Sequence, residues 1–279
     1  NNAGITMDGS DITGFYTVNG GNIENNGSIN GITGTANIGI YSQNGTVRNT
    51  GEIILGNSVI NDFMDTKKNK YTVGIFGENS NVYNSGNVKV GYYGIGVYGS
   101  GGHVENHGNI TSDAEGAIGL FIEKGTLENF GDITLNGQNS IGIYADSNIS
   151  TMQISNDGII NLSGDKSVGI YTTGTNSYLI DNNSTGIISI GNSTNTSDPG
   201  IGIYGSTAGS IITNHGTVSS GENSIGAYSS SGTVDNNGIF NVGNSGVGIY
   251  SSNGIVNLNT GSAINMGTNG AVAVYGVNS

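Results

Sequence analysis

The sequence predicts an all-β fold, a right-handed parallel β-helix of about eleven coils, each with 22–23 residues and three short strands. Two alternating patterns and the composition predict it. The patterns are an apolar–Gly–apolar–aromatic block and an Asn–x–Gly block, which recur along the whole chain. Glycine supplies 51 of the 279 residues and asparagine 42, whereas good helix formers are scarce. Because regular repetition is the signature of stacked coils, this composition indicates a solenoid rather than disorder.

The first block places one aromatic side chain in each coil. Ile141-Gly142-Ile143-Tyr144 is a clean copy. The aromatic residue alternates out of phase with the two aliphatic residues, so we expect it to face outward and to stack on its counterparts one coil away. Such a column could stabilise the rod, or present a stripe to a sugar or a protein. Its expected members are Tyr41, Phe76, Tyr98, Phe121, Tyr144, Tyr171, Tyr204, Tyr228 and Tyr250.

The second block marks the corner after a strand, as in Asn129-Phe130-Gly131. A carboxamide both donates and accepts hydrogen bonds, so asparagines one coil apart are expected to bond in a ladder, while the glycine fits a tight corner. Between the two blocks lies a third short strand with period-two alternation. In the unit 125–147, the side chains expected to face a common core are Leu127, Ile133, Leu135, Ile141 and Ile143.

A single β-helix domain is expected over 1–279, with insertions at about 57–70, 145–153, 172–182 and 191–200. Loops that project from a rigid scaffold often carry binding residues, although a surface loop can also be a tolerated insertion. The candidate partner-binding residues in these loops are Asn61, Asp62, Phe63, Met64, Asp65, Lys67, Lys68, Lys70, Asn176, Tyr178, Asn195 and Asp198.

Catalytic, cofactor and metal sites are not expected from this sequence. The chain has no cysteine and no HExxH motif, and its carboxylates are scattered. Glu105 and Glu128 fall one coil apart in the same column and are interpreted as surface charge, while His107 and His215 lie too many coils apart to share a metal. The formal net charge of −13 argues against nucleic acid as a partner. We therefore expect a protein that is not an enzyme.

Blocks such as Asn139 to Tyr144 and Val104 to Ile110 resemble the passenger domains of type V autotransporters. More narrowly, the acidic, cysteine-free, Asn/Gly-rich coils resemble very large outer-membrane autotransporter adhesins of anaerobic oral Gram-negative bacteria. The resemblance implies an extracellular segment of a larger passenger at the cell surface, attached to the outer membrane only through a C-terminal barrel outside this segment. Its implied partners are a host receptor or glycan, or another bacterial surface.

The sequence is compatible with several functions. The leading hypothesis is an adhesin segment that attaches to host cells or to other bacteria through protein or glycan recognition. The alternatives are a structural spacer whose parent binds elsewhere, a self-association module, a polysaccharide-degrading β-helix and a vacuolating-toxin-like passenger.

Overall fold

A computed structural model describes residues 1–61, 68–148, 151–194 and 196–279. These residues wind into a parallel β-helix of about eleven turns, and the described ranges contain no α-helix. The all-β solenoid expected from the repeats is therefore confirmed. Each strand pairs in parallel with its counterparts one coil away; Tyr144, for example, lies between Phe121 and Tyr171 in register.

Three faces make up each turn, and we name them after the strands that form them. The aromatic face carries the aromatic residues and comprises Thr13–Thr17, Ile38–Gln43, Val73–Glu78, Ile95–Asn106, Ile118–Asn129, Ile141–Ser147, Val168–Gly174, Ile201–Gly205, Ile225–Ser229, Val247–Ser252 and Val272–Val277. Two of these strands, Ile95–Asn106 and Ile118–Asn129, continue around the corner into the next face.

The asparagine face follows in each turn. Apart from the two continued strands, it comprises Asn22–Asn25, Thr46–Asn49, Asn81–Asn84, Met152–Asn156, Tyr178–Asn182, Ile211–Asn214, Thr233–Asn236 and Ile255–Leu258. The third face closes the turn and comprises Gly4–Thr6, Ser28–Gly31, Glu52–Leu55, Asn87–Lys89, Asn109–Ser112, Asp132–Leu135, Ile159–Leu162, Ile187–Ile190, Thr217–Ser220, Ile239–Val242 and Ala263–Met266.

One continuous apolar core fills the space between the three faces. Leu127, Ile133, Leu135 and Ile143 are fully buried in it, as the alternation predicts. Ile141 is a correction, because it is only half-buried and its neighbour Gly142 faces inward instead. A Cβ on Gly142 would lie 2.5 Å from the carbonyl oxygen of Gly169. Only glycine fits there, so the aliphatic residue before it turns toward the surface.

The asparagine ladder is present over most of the rod. Each buried Asn donates from Nδ2 to Oδ1 of its counterpart in the next coil, at 2.7–3.0 Å. Its members are Asn1, Asn25, Asn49, Asn84, Asn106, Asn129, Asn156, Asn182, Asn214 and Asn236. Leu258 takes the next place, so the ladder ends at Asn236, whose buried amide nitrogen has no hydrogen-bond partner among the described residues.

The region 172–182 differs from the expected loop. Most of it belongs to two strands, and Tyr178 is fully buried. The Tyr178 hydroxyl accepts the amide N–H of Ser147 at 2.6 Å and donates to backbone carbonyls of Ala145 and Thr173. The extra residues thus enlarge the core locally, and Tyr178 is not available to a partner. Among the described residues, no helix is long and apolar enough to cross a membrane.

Candidate functional site

An unbroken column of eleven aromatic rings follows the aromatic face. It contains the nine expected residues, with Tyr16 added at one end and Tyr275 at the other. Successive ring centroids lie 4.5–5.4 Å apart. The column is therefore a structural feature of every coil.

Most rings in this column lie nearly parallel to their neighbours. The interplanar angle is 6° between Phe76 and Tyr98 and 5° between Tyr228 and Tyr250. Face-to-face contact within the column covers the ring faces, so most rings present their edges and hydroxyls outward. One sharp change occurs between Tyr41 and Phe76, whose planes stand at 85°. This change lies in the step that carries the insertion at 57–70.

A groove of about 700 Å³ runs beside the column over five coils, and we call it the first groove. Its floor is formed by the aliphatic residues that precede the buried glycines: Ile38, Val73, Ile95, Ile118 and Ile141. One wall is the edge of the column at Phe76, Tyr98, Phe121 and Tyr144. The opposite wall consists of the residues two positions before each floor residue: Tyr71, Tyr93, Gly116 and Asn139. At the usual strand spacing this groove is about 20 Å long.

Tyr93 stands out in this wall. Its φ is +50°, in the left-handed region that a bulky side chain rarely adopts. The equivalent corner has the same conformation in eight other coils, but not at Tyr71 or Pro199, and carries mostly small or short residues there: Asp11, Ala36, Gly116, Asn139, Lys166, Asn223, Ser245 and Gly270. Gly116 leaves room for the Tyr93 ring, because a Cβ there would lie 2.6 Å from it. Strained backbone of this kind is concentrated at functional sites.

Tyr71 and Tyr93 also change the burial of the groove floor. Val73 and Ile95 are buried, at 5% and 4% exposed, whereas Ile118 and Ile141 are half-buried. We attribute the difference to the two tyrosine rings, which occupy the corners beside Val73 and Ile95. The groove floor is thus covered at Val73 and Ile95 and more open at Ile38, Ile118 and Ile141.

A second groove, of about 520 Å³, repeats this construction near the other end of the rod. Ile225 and Val247 form its floor and Tyr250 and Tyr275 belong to its column wall. Thr196 and Pro199, from the insertion at 191–200, line it as well. The insertion at 57–70 leaves the rod at the same corner, between the third and aromatic faces. Each long insertion therefore stands beside a groove.

The described base of the insertion at 57–70 is anchored to the rod. Val59 and Lys70 exchange two backbone hydrogen bonds, and Lys70 forms an ion pair with Asp11 at 2.9 Å. Asn61 donates to the carbonyl of Lys68 at 2.7 Å. Tyr71, in the groove wall, follows at once. The candidates Asp62, Phe63, Met64, Asp65 and Lys67 lie outside the described residues, as does Asn195.

The remaining candidates are bonded within the chain. Asp198 forms an ion pair with Lys166 at 2.8 Å. Asn176 is half-buried, donates to the carbonyl of Ser147 at 3.4 Å and accepts from the Thr207 hydroxyl at 2.7 Å. Asn176 and Asp198 thus secure their own segments to the rod. The structure does not bring them together with the insertion at 57–70.

The first groove is acidic at its edge. Glu123 is the one carboxylate among its described lining residues, and no basic side chain lines it. Burial, together with a hydrogen bond to Glu123, raises the pKa of Tyr98. Burial and the nearby Asp146 charge raise the pKa of Tyr144 to about 12. Tyr98 and Tyr144 are therefore neutral at physiological pH, and their hydroxyl groups can both donate and accept hydrogen bonds.

A second polar cluster lies on the asparagine face. His103 Nε2 is 3.2 Å from Glu105 and 3.9 Å from Glu128, which are paired in register. His107 Nε2 lies 2.6 Å from the other Glu105 oxygen. His103 and Glu105 are two positions apart on one strand, and this spacing, combined with the coil register, could have indicated the cluster. Tyr71 and Tyr93 lie outside the apolar–Gly–apolar–aromatic block, but their common place two residues before Val73 and Ile95 could have indicated that they share a column.

Comparison with protein-family models, with curated proteins and with solved structures finds no match to this chain. The surfaces of the chain itself are therefore the basis for a proposal about its function.

Proposed function

We propose that the chain is a non-enzymatic adhesin segment, displayed at a bacterial cell surface, that binds a partner through the first groove. The observation that carries this proposal is Tyr93, an aromatic residue held in a left-handed corner where other coils carry mostly small or short residues. No core contact requires a ring there, since neighbouring coils use Gly116 and Asn139. Tyr93 has a strained backbone and forms part of the wall of a surface groove. A requirement for ligand binding explains such a residue better than a requirement for folding.

The shape of the groove favours a protein segment over a sugar. A sugar ring would have to lie on an exposed aromatic face, yet the faces in this column are covered by neighbouring rings. What remains exposed is an aliphatic floor between two walls of ring edges and hydroxyl groups. Such a surface suits an extended peptide whose apolar side chains enter the groove.

The carboxylates near the first groove indicate which residues a partner segment should carry. Glu123 borders the groove, and Glu78 and Asp146 occupy the matching position, two residues after the aromatic ring, in other coils. The chain as a whole carries a formal net charge of −13. We therefore expect the partner segment to combine apolar residues with lysine or arginine. The insertion at 57–70 ends directly before Tyr71, so its described base lies next to the groove wall.

The test is binding of the fluorescently labelled chain to epithelial cells and to other oral bacteria. We expect the double variant Tyr71→Ala/Tyr93→Ala to lose at least tenfold in binding. Leu179→Ala is the control, because Leu179 is an exposed apolar residue, 45% exposed, on a different face. It should bind like the parent chain.

Pretreatment of the target cells separates the partner classes. Protease treatment should abolish binding, and glycosidase treatment should leave it intact. The reverse pattern would assign the groove to a glycan. Full binding by the double variant would reject the groove, and absence of binding by the parent chain would favour the spacer alternative.

A further inference from the structure

We propose that His103, Glu105 and Glu128 form a binding site for a divalent transition-metal ion of the zinc type. The site lies on the asparagine face, away from the first groove, and does not depend on the function proposed for that groove. One nitrogen and two carboxylate oxygens from these residues all lie within 4.8 Å of one another. They come from two adjacent coils, so an ion would add a further link between coils that are already paired through their backbones.

The spacing of the donor atoms already approaches that of a coordinated ion. Tetrahedral zinc with ligand bonds of 2.0–2.1 Å places its ligand atoms about 3.3 Å apart. His103 Nε2 lies 3.2 Å from Glu105 Oε2 and 3.9 Å from Glu128 Oε2. The carboxylate of Glu128 is half-exposed, so it can close the remaining distance by rotation about its side-chain bonds. Solvent can supply the fourth ligand.

Neighbouring side chains hold these ligands in a usable orientation. His103 Nδ1 lies 2.8 Å from the hydroxyl of Thr126. If Nδ1 carries the proton and donates it to that hydroxyl, Nε2 keeps a free lone pair that faces both carboxylates. His107 engages the opposite oxygen of Glu105 and is itself stacked on Phe130, with ring centroids 4.6 Å apart. Partners of this kind fix the tautomer and the direction of metal ligands.

The donor set selects the class of ion. Calcium and magnesium are bound almost entirely by oxygen, whereas imidazole nitrogen combined with carboxylate suits zinc and related ions. The competing explanation is the other tautomer, in which Nε2–H donates to Glu105 and Nδ1 accepts from the Thr126 hydroxyl, so that the cluster is held by hydrogen bonds without an ion.

The test uses the tag-free chain, freed of metal with EDTA and titrated with ZnCl₂ by calorimetry. We expect one Zn²⁺ per chain, with affinity reduced at least tenfold in His103→Gln and in Glu128→Gln. His215→Gln is the matched control, since His215 also faces a carboxylate, Asp181 at 3.5 Å, but has no second acidic partner in a metal-type cluster. Its affinity for Zn²⁺ should equal that of the parent chain.

A second measurement identifies the coordinating atom. The chain has three histidines, so their imidazole ¹⁵N signals can be assigned individually by NMR. Addition of Zn²⁺ should shift the Nε2 signal of His103 and leave that of His215 in place. Absence of binding, or equal weakening by His103→Gln and His215→Gln, would overturn the site in favour of the metal-free hydrogen-bonded cluster. Far-UV circular dichroism of each variant verifies that the fold is retained.

Discussion

The asparagine ladder and the aromatic column both repeat one side chain per coil, yet they obey different rules. The ladder uses the same residue in ten successive coils and is fully buried in nine of them. The column is half-exposed at most positions, contains two Phe and nine Tyr, and has interplanar angles from 5° to 85°. A buried hydrogen bond requires the right atom in the right place, whereas ring contact tolerates changes of residue and tilt. The column can therefore be adapted for binding, and the ladder cannot.

The strongest test of this difference is Asn129→Leu, in the middle of the ladder. The change removes the hydrogen bonds to Asn106, Asn156 and the carbonyl of Gly131 while roughly keeping the side-chain volume. We expect the free energy of unfolding to fall by about 2–4 kcal/mol, because buried polar partners are left unpaired. Chemical denaturation followed by circular dichroism measures it.

The control for that change is Asn236→Leu, at the end of the same ladder. Asn236 has a buried amide nitrogen without a partner, and the next coil already carries Leu258. We expect at most half the loss seen for Asn129→Leu. Equal losses at both positions would mean that the ladder bonds are not the source of the stability.

A smaller effect is expected in the aromatic column. Phe121 contacts Tyr98 and Tyr144, with ring centroids 4.7 Å apart in both pairs. Phe121→Ser removes both contacts and should lower the free energy of unfolding by about 1–3 kcal/mol. Phe121→Tyr should lie within about 0.5 kcal/mol of the parent, since most other coils carry Tyr there. A large loss of unfolding free energy in Phe121→Tyr would show that the column tolerates substitution no better than the ladder does.

Alkaline pH should weaken the column selectively. The folded-state pKa of Tyr144 is raised to about 12 by burial and by Asp146, above its ordinary value of 10.0. The folded chain thus holds this proton more tightly than the unfolded chain, so the associated stability is complete below pH 10 and is lost as pH rises toward 12. Urea denaturation at pH 8 and at pH 11 should show a smaller decline for Tyr144→Phe than for the parent. Identical declines would contradict this account.

The smallest effect is expected outside both columns. Lys70 and Asp11 form an ion pair, but both side chains are more than half exposed. Exposed ion pairs contribute little, so Lys70→Ala should change the free energy of unfolding by less than about 1 kcal/mol. The same denaturation assay measures it. A larger loss would mean that the anchored insertion supports the rod, rather than projecting from it.

The sequence by itself determined the coil. The two alternating blocks predicted the all-β solenoid, the outward aromatic column and the asparagine ladder, because strand alternation and coil stacking act on neighbouring residues at fixed spacing. The pattern was misleading where the chain departed from regular alternation. Ile141 is only half-buried because Gly142 takes the inward position, where a Cβ would not fit, and Tyr178 belongs to a strand and lies in the core.

Only the tertiary structure decided which surface features meet. Tyr93 and Gly116 are far apart in sequence but adjacent in space, and the left-handed corner that places the Tyr93 ring against Gly116 has no signature in the aromatic pattern. The covered ring faces and the meeting of His103 with Glu128 likewise depend on side-chain torsions. Sequence spacing sets which residues share a column, but the groove and the His–Glu cluster arise from contacts between columns, and those depend on how each side chain is turned.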